Sequence, residues 1–148
     1  MNLRISGRMR LSVLTGLLFI SLAAAMTAGA QHAFPSSEGE SARYSAVIQL
    51  PKAQISGICM LKYADGAIRG SLFNEFGLSA LDFSYRPGQK KVRLHHVVKI
   101  MDKWYVRRVL RKDLARLMLT LQSGGTRYDN EQRKITYQFV PIADEVPE

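Results

Sequence analysis

Three histidines and one cysteine are the side chains of this sequence best suited to metal or nucleophilic chemistry. His95 and His96 are adjacent in a segment with strand-like alternation, so we expect one ring to point inward and the other outward. His32 lies far from both, in a polar stretch. A closed zinc site needs four converging ligands. The sequence therefore predicts no metal site.

Cys59 lies inside the apolar run 55–63. A reactive cysteine needs a neighbour that stabilises its thiolate, and the flanking sequence offers none. A buried free cysteine behaves as a small hydrophobic residue, so we expect Cys59 in the core. Glu75 and Asp82 flank the clearest strand, but a paired-carboxylate hydrolase needs two acids at a defined separation. Such a separation is not visible in the sequence.

The common enzyme motifs are also missing: the chain has no G-x-S-x-G, no P-loop and no G-x-G-x-x-G. We therefore predict a protein that is not an enzyme, with no catalytic residue and no cofactor.

The charged residues with a defined arrangement lie between Lys103 and Gln122. At 100° per residue, the apolar side chains of this segment form one stripe, as in a helix packed on a core. Asp102 is the predicted N-cap, and Gly124 and Gly125 end the helix. The stripe contains Val106, Leu110, Leu114, Leu117, Met118 and Leu121. The basic face opposite contains Arg108, Arg111, Lys112 and Arg116.

Two interpretations of the basic face remain open. It is either the solvated side of an amphipathic helix or a contact for anionic head groups or an acidic partner protein. Trp104 and Tyr105 favour contact, because aromatic side chains are frequent at membrane interfaces. A bend near Tyr105 would instead return Trp104 to the core. The candidate contact residues are Trp104, Arg107, Arg108, Arg111, Lys112 and Arg116.

Residues 1–30 have the pattern of a cleaved signal peptide. Three arginines precede the apolar run 11–25, and Ala28-Gly29-Ala30 supplies small residues for cleavage. Ala23-Ala24-Ala25 is a second possible cleavage site. A retained anchor is the alternative, although a spanning helix needs about 20 apolar residues. No cysteine follows the apolar run closely, so we expect no lipid anchor. We predict a periplasmic protein of a bacterial envelope, a compartment that argues against nucleic acid as a partner. Cleavage would lower the net charge from +9 to +6, since the removed segment holds three arginines and no acid.

The rest of the chain divides into a flexible leader (31–41), one domain (42–140) and an acidic, disordered tail (141–148). Period-two alternation and turn residues predict six or seven strands in the domain. The clearest strand alternates Leu81, Phe83 and Tyr85 with small or polar residues. We predict an α+β fold: a curved antiparallel sheet, or half-barrel, covered by one main amphipathic helix.

One stretch carries a family likeness. Ile68-Arg69-Gly70-Ser71-Leu72, then Phe76-Gly77-Leu78 and Leu81-Asp82-Phe83-Ser84-Tyr85, resemble the LolA/LolB-like periplasmic lipoprotein carriers and related small lipid-binding envelope proteins. These are curved sheets closed by helices around an apolar cavity, although this chain is shorter and lacks a lipid anchor. The resemblance implies a site for a lipid, an acylated peptide or another apolar ligand. Its lining would be Leu72, Leu78, Leu81, Phe83, Tyr85, Leu94 and Tyr137.

Two functions follow from these patterns. The first is a non-enzymatic periplasmic carrier or binding protein for such a ligand, oriented at an anionic membrane by its basic helix. The alternative is a small envelope interaction module with a filled core and a protein partner. A filled core would bury the same inward residues, so the discriminating feature is a dry cavity of several hundred Å³ between sheet and helix.

Overall fold

Seven antiparallel strands and one long helix make up residues 34–143, the part of the chain that the computed structural model describes. The strands are β1 (Ser41–Gln49), β2 (Gln54–Ala64), β3 (Ala67–Phe73), β4 (Ser79–Arg86), β5 (Lys91–Val97), β6 (Arg127–Asn130) and β7 (Ile135–Pro141). The helix α1 spans Trp104–Gln122 and follows a short 3-10 turn at Lys99–Met101. The predicted signal peptide, 1–30, lies outside the described residues. Between residues 34 and 143, the structure has no helix with the length and apolar character to cross a bilayer.

The strands form one sheet in the order β5-β4-β3-β2-β1-β7-β6. The first five strands form a meander, and β7 returns to pair with β1. The helix contacts both edge strands, β5 and β6. It therefore closes the open side of the curled sheet and shields edges that would otherwise present unpaired backbone groups. The predicted α+β half-barrel with one main helix is confirmed.

Turn chemistry sets the register of the central hairpins. Asp65 and Gly66 both have positive φ (55° and 73°), as the two-residue turn between β2 and β3 requires. Gly70 on β3 lies opposite Phe83 on β4. A Cβ atom at Gly70 would lie 2.3 Å from the Phe83 ring, so only glycine lets the ring lie flat over the strand.

The end of α1 matches its prediction, but its beginning does not. Gly124 has φ +90°, and Gly125 N–H donates to Thr120 O at 2.8 Å, which together satisfy the last carbonyls of the helix. The N-cap, however, is Lys103, and no side chain caps the helix. The Asp102 carboxylate, which was predicted to be the cap, accepts a hydrogen bond from Arg107 Nε instead.

The prediction for the two histidines was wrong because β5 contains a bulge. Asp82 pairs with His96, whereas Phe83 pairs with Leu94, so His95 is an extra residue in the ladder. A bulge places two residues opposite one and interrupts the alternation of side chains. Both rings are consequently exposed.

The domain also extends beyond its predicted boundaries. Residues 34–40 pack on the sheet instead of forming a mobile leader: Pro35 is buried, and Gly39 N–H donates to Tyr63 O at 2.9 Å. At the other end, Pro141 pairs with Tyr44, and Ile142 N–H donates to Arg43 O at 2.9 Å. The predicted disordered tail therefore does not begin at 141, and residues 144–148 lie outside the described part.

Candidate functional site

The outer side of α1 carries the densest group of cations that the sequence singled out. Arg108, Arg111, Lys112 and Arg116 are all exposed. We call these four side chains the basic face. Arg107, also a predicted contact, is half-buried and paired with Asp102. No carboxylate lies within ion-pair distance of the basic face among residues 34–143. The face is thus a concentration of positive charge that forms no ion pair in the described part of the chain.

Trp104 lies at the first turn of the helix and is 75% exposed. The helix is continuous from this residue onward, so the alternative in which a bend returns Trp104 to the core is wrong. Its ring contacts Tyr105 edge-on, with centroids 5.8 Å apart. The structure thus presents two aromatic side chains to solvent next to the basic face.

A groove lies on each side of the helix. Toward β5, a groove of about 400 Å³ is lined by five cations and no acid: Lys90, Lys91, Arg111, Lys112 and Arg116. Toward the β6–β7 turn, a groove of about 510 Å³ includes Trp104, Arg108, Lys112, Arg116 and Arg133. The charge of the helix therefore continues onto the neighbouring strands, which sequence analysis did not predict.

Asp113 is the residue that sequence analysis missed. It is 2% exposed and is the one buried charged side chain in residues 34–143. The Asn130 amide donates to both its carboxylate oxygens at 3.0 Å, and the Tyr137 hydroxyl donates to Oδ2 at 2.8 Å. These bonds join α1 to β6 and β7. On the helical wheel, Asp113 lies about 20° outside the apolar stripe, which was the available signal.

Exposed apolar side chains collect at one end of the sheet. Phe76 and Leu78 lie in the β3–β4 connection (78% and 65% exposed), and Ile100 lies in the connection from β5 to α1 (66% exposed). Val98 N–H donates to Ala80 O in β4 at 2.8 Å, so the two connections leave the sheet at the same end. Trp104 continues this group, which we call the apolar end. A sheet end with these side chains resembles the apolar part of an interaction surface.

The predicted lining of an internal ligand site forms a packed core instead. Leu72, Leu81, Tyr85 and Tyr137 are 0% exposed, and Phe83 is 1% exposed. If a cavity large enough for a water molecule lay beside these side chains, part of their surface would be accessible. These residues pack together with the apolar stripe of α1 in one cluster. As folded, this region offers no room for an acyl chain.

Two of the predicted lining residues are placed differently. Leu78 is exposed, because Gly77 (φ +75°) turns the chain before β4 begins. Leu94 is only half-buried, near the bulge in β5. The prediction that Leu78 faces inward was wrong because the β3–β4 connection extends further than the strand pattern indicated.

The outer face of β3–β5 forms a third groove, of about 540 Å³. In it, His95 Nε2 and Ser84 Oγ lie 2.9 Å apart. A serine nucleophile also needs a group that orients the histidine and donors that stabilise an oxyanion. Asp82 lines the same groove but makes no hydrogen bond to His95. The arrangement therefore lacks the third member of a catalytic triad.

Cys59 is buried as expected, at 0% exposure. Burial raises the pKa of its thiol to about 12, which keeps it protonated and unreactive at neutral pH. Within the described region, no three His, Cys, Asp or Glu side chains are grouped as metal ligands would be.

No protein-family model, no curated protein and no solved structure matches this chain. The likeness to the LolA/LolB-like carriers thus stays a prediction.

Proposed function

We propose that this protein is a non-enzymatic binding protein of the bacterial envelope that attaches to anionic membrane surfaces through the basic face of α1. The observation that carries the proposal is the basic face itself: four exposed cations that form no ion pair within residues 34–143, next to the exposed Trp104. Cations near an anionic leaflet contribute about 1 kcal/mol each. Four of them support reversible attachment, not a permanent anchor.

The apolar end would set the orientation of the protein on the membrane. Ile100 lies shortly before the helix and Trp104 begins it, and Phe76 and Leu78 lie in the β3–β4 connection at the same end of the sheet. Exposed aromatic and aliphatic side chains enter the interfacial layer of a bilayer, while neighbouring cations stay at the phosphates. The protein would therefore bind tilted, with the apolar end deepest.

The surface, and not the interior, carries this function. An apolar ligand between sheet and helix would require α1 to move away, since Leu72, Phe83 and Tyr137 already fill the space. The proposal thus follows the filled-core alternative, with a membrane as the binding partner.

Vesicle binding tests the proposal. Protein isolated from the envelope is mixed with vesicles of phosphatidylethanolamine and phosphatidylglycerol, and the bound fraction is measured by flotation. Replacing Arg108, Arg111 and Lys112 by glutamate should reduce the affinity at least about tenfold. Arg116 is kept because its Nη1 donates to the Tyr128 hydroxyl at 3.0 Å.

The control makes the same change in net charge elsewhere. Arg69, Arg86 and Arg93 are exposed on the opposite side of the sheet, and their replacement by glutamate should have a much smaller effect. Equal losses in the two triple variants would contradict a specific basic face. If the wild-type protein does not bind anionic vesicles but binds an acidic envelope protein, the partner of the basic face is that protein and not a membrane.

A further inference from the structure

The groove between α1 and the β6–β7 turn has features beyond a flat basic surface. We call it the hairpin groove. On its helix wall, Arg108, Lys112 and Arg116 follow one another at four-residue spacing. Side chains with this spacing lie on one side of a helix, with Cβ atoms about 5–6 Å apart. Arg133 from the β6–β7 turn faces them across the groove.

Hydrogen bonds hold the two walls in place. The Asn130 side chain donates to Asp113 on α1 at 3.0 Å and accepts a bond from the Arg133 backbone N–H at 3.1 Å. One amide therefore ties the turn that carries Arg133 to the helix. Arg116 is held by the Tyr128 hydroxyl. The guanidinium of Arg116 and the backbone of Arg133 are thus held by the fold, which lowers the entropic cost of binding an anion.

The groove is lined by four cations and one acid. Like charges at i,i+4 repel one another and destabilise a helix. Asp113 is the one acid that lines the groove, and it is buried and already accepts three hydrogen bonds. An anion bound between the helix and Arg133 would remove the repulsion.

The number of cations indicates the kind of anion. A phosphodiester carries one charge, whereas a phosphomonoester carries about −1.5 to −2 at pH 7 and three strong acceptor oxygens. Arginine binds such oxygens in bidentate pairs. The volume of about 510 Å³ is within the range of small-molecule sites. It also leaves room for the group that bears the phosphate, beside Trp104.

We propose that the hairpin groove binds a phosphomonoester group, carried by a lipid head group or by a soluble molecule. The site deepens the proposed function and depends on it, because the groove includes part of the basic face. It adds Arg133, and it predicts selectivity that a merely basic surface would lack.

Fluorescence of Trp104 provides the measurement, because it is the single tryptophan of the chain and lines the groove. The isolated protein is titrated with vesicles containing phosphatidic acid, a phosphomonoester lipid, or phosphatidylglycerol at equal surface charge. A parallel titration uses glucose 1-phosphate. We expect phosphatidic acid to be preferred about tenfold over phosphatidylglycerol. A response to glucose 1-phosphate as well would identify a soluble phosphomonoester as a source.

Arg133→Gln removes one charge of the groove and keeps the backbone bond to Asn130. Arg93→Gln, on the outer face of the sheet, is the matched control. The first variant should lose the preference for phosphatidic acid, while its affinity for phosphatidylglycerol falls no more than that of the control. Equal affinity of the wild type for both lipids, or an unchanged preference in Arg133→Gln, would overturn the inference. Failure of the proposed function would give a different result from failure of this inference: the triple glutamate variant of α1 would then bind phosphatidylglycerol vesicles as well as the wild type does.

Discussion

The Tyr137 hydroxyl donates a 2.8 Å hydrogen bond to Oδ2 of Asp113 in the interior of the protein. This bond joins the last strand to the middle of α1, and Asn130 adds a second connection to the same carboxylate. Burial and the neighbouring Asp113 both raise the pKa of Tyr137, so the phenol stays a donor at every physiological pH. The helix that carries the basic face is thus attached to the sheet by a polar contact as well as by apolar packing.

Removing this donor should destabilise the fold. Tyr137→Phe deletes one oxygen atom and leaves a buried carboxylate with one donor fewer, which costs about 1–3 kcal/mol. Equilibrium unfolding in urea, followed by circular dichroism, measures the change in the free energy of unfolding.

Tyr85→Phe is the matched control. The Tyr85 hydroxyl is also buried but has no hydrogen-bond partner in residues 34–143, so its removal relieves a desolvation cost. The free energy of unfolding should stay the same or rise. If both variants lose equal stability, the bond to Asp113 is not the reason for the effect in Tyr137→Phe.

Gly70→Ala should destabilise the protein by about 1–3 kcal/mol, because the new methyl group would overlap the Phe83 ring. Thermal unfolding provides the measurement. Gly88→Ala is the control, since a Cβ atom there meets open space. In a Phe83→Leu background, Gly70→Ala should cost less, and an undiminished cost would contradict the steric explanation.

Stability should decline in alkaline solution. Burial raises the pKa of Cys59 from 9.0 to about 12 and that of Tyr44 from 10.0 to about 12. Between the unfolded and folded pKa values, the native state holds more protons than the unfolded state, so the free energy of unfolding falls as pH rises. The contribution of the Cys59 thiol to the free energy of unfolding is fully present below pH 9. Above pH 9 it decreases by up to about 1.4 kcal/mol per pH unit.

The Cys59→Ala variant isolates the thiol. Between pH 9 and 10, where the tyrosines still contribute little, the slope of the free energy of unfolding against pH should be smaller in the variant than in the wild type. Urea titrations at closely spaced pH values measure both slopes. Identical slopes would show that Cys59 does not titrate on unfolding.

Native Cys59 should also resist alkylation. At pH 8, iodoacetamide should modify it only at the rate at which the protein opens, and fully in urea, as counted by mass spectrometry. Rapid modification of the folded protein would contradict the burial of the thiol.

The N-terminus of the isolated protein tests the predicted export. Cleavage after Ala30 would leave Gln31 as the first residue, which intact-mass measurement detects directly. A full-length chain in the membrane fraction would favour the retained anchor.

The sequence by itself determined the elements of this fold. The helix Trp104–Gln122 and its two faces follow from a period of 3.6 residues. The turns at Asp65-Gly66 and Gly124-Gly125 follow from local backbone preferences. These features depend on residues close in the chain, so no knowledge of distant contacts was needed to predict them.

Tertiary structure decided how those elements combine into a site. Leu72 and Phe83 face inward in either a pocket or a core, and only the packing of α1 against the sheet shows that the space between them is filled. Sequence analysis missed Asp113 because its partners, Asn130 and Tyr137, lie 17 and 24 residues away. A buried carboxylate needs hydrogen-bond donors, and Asn130, one of these donors, also ties the turn that carries Arg133 to the helix.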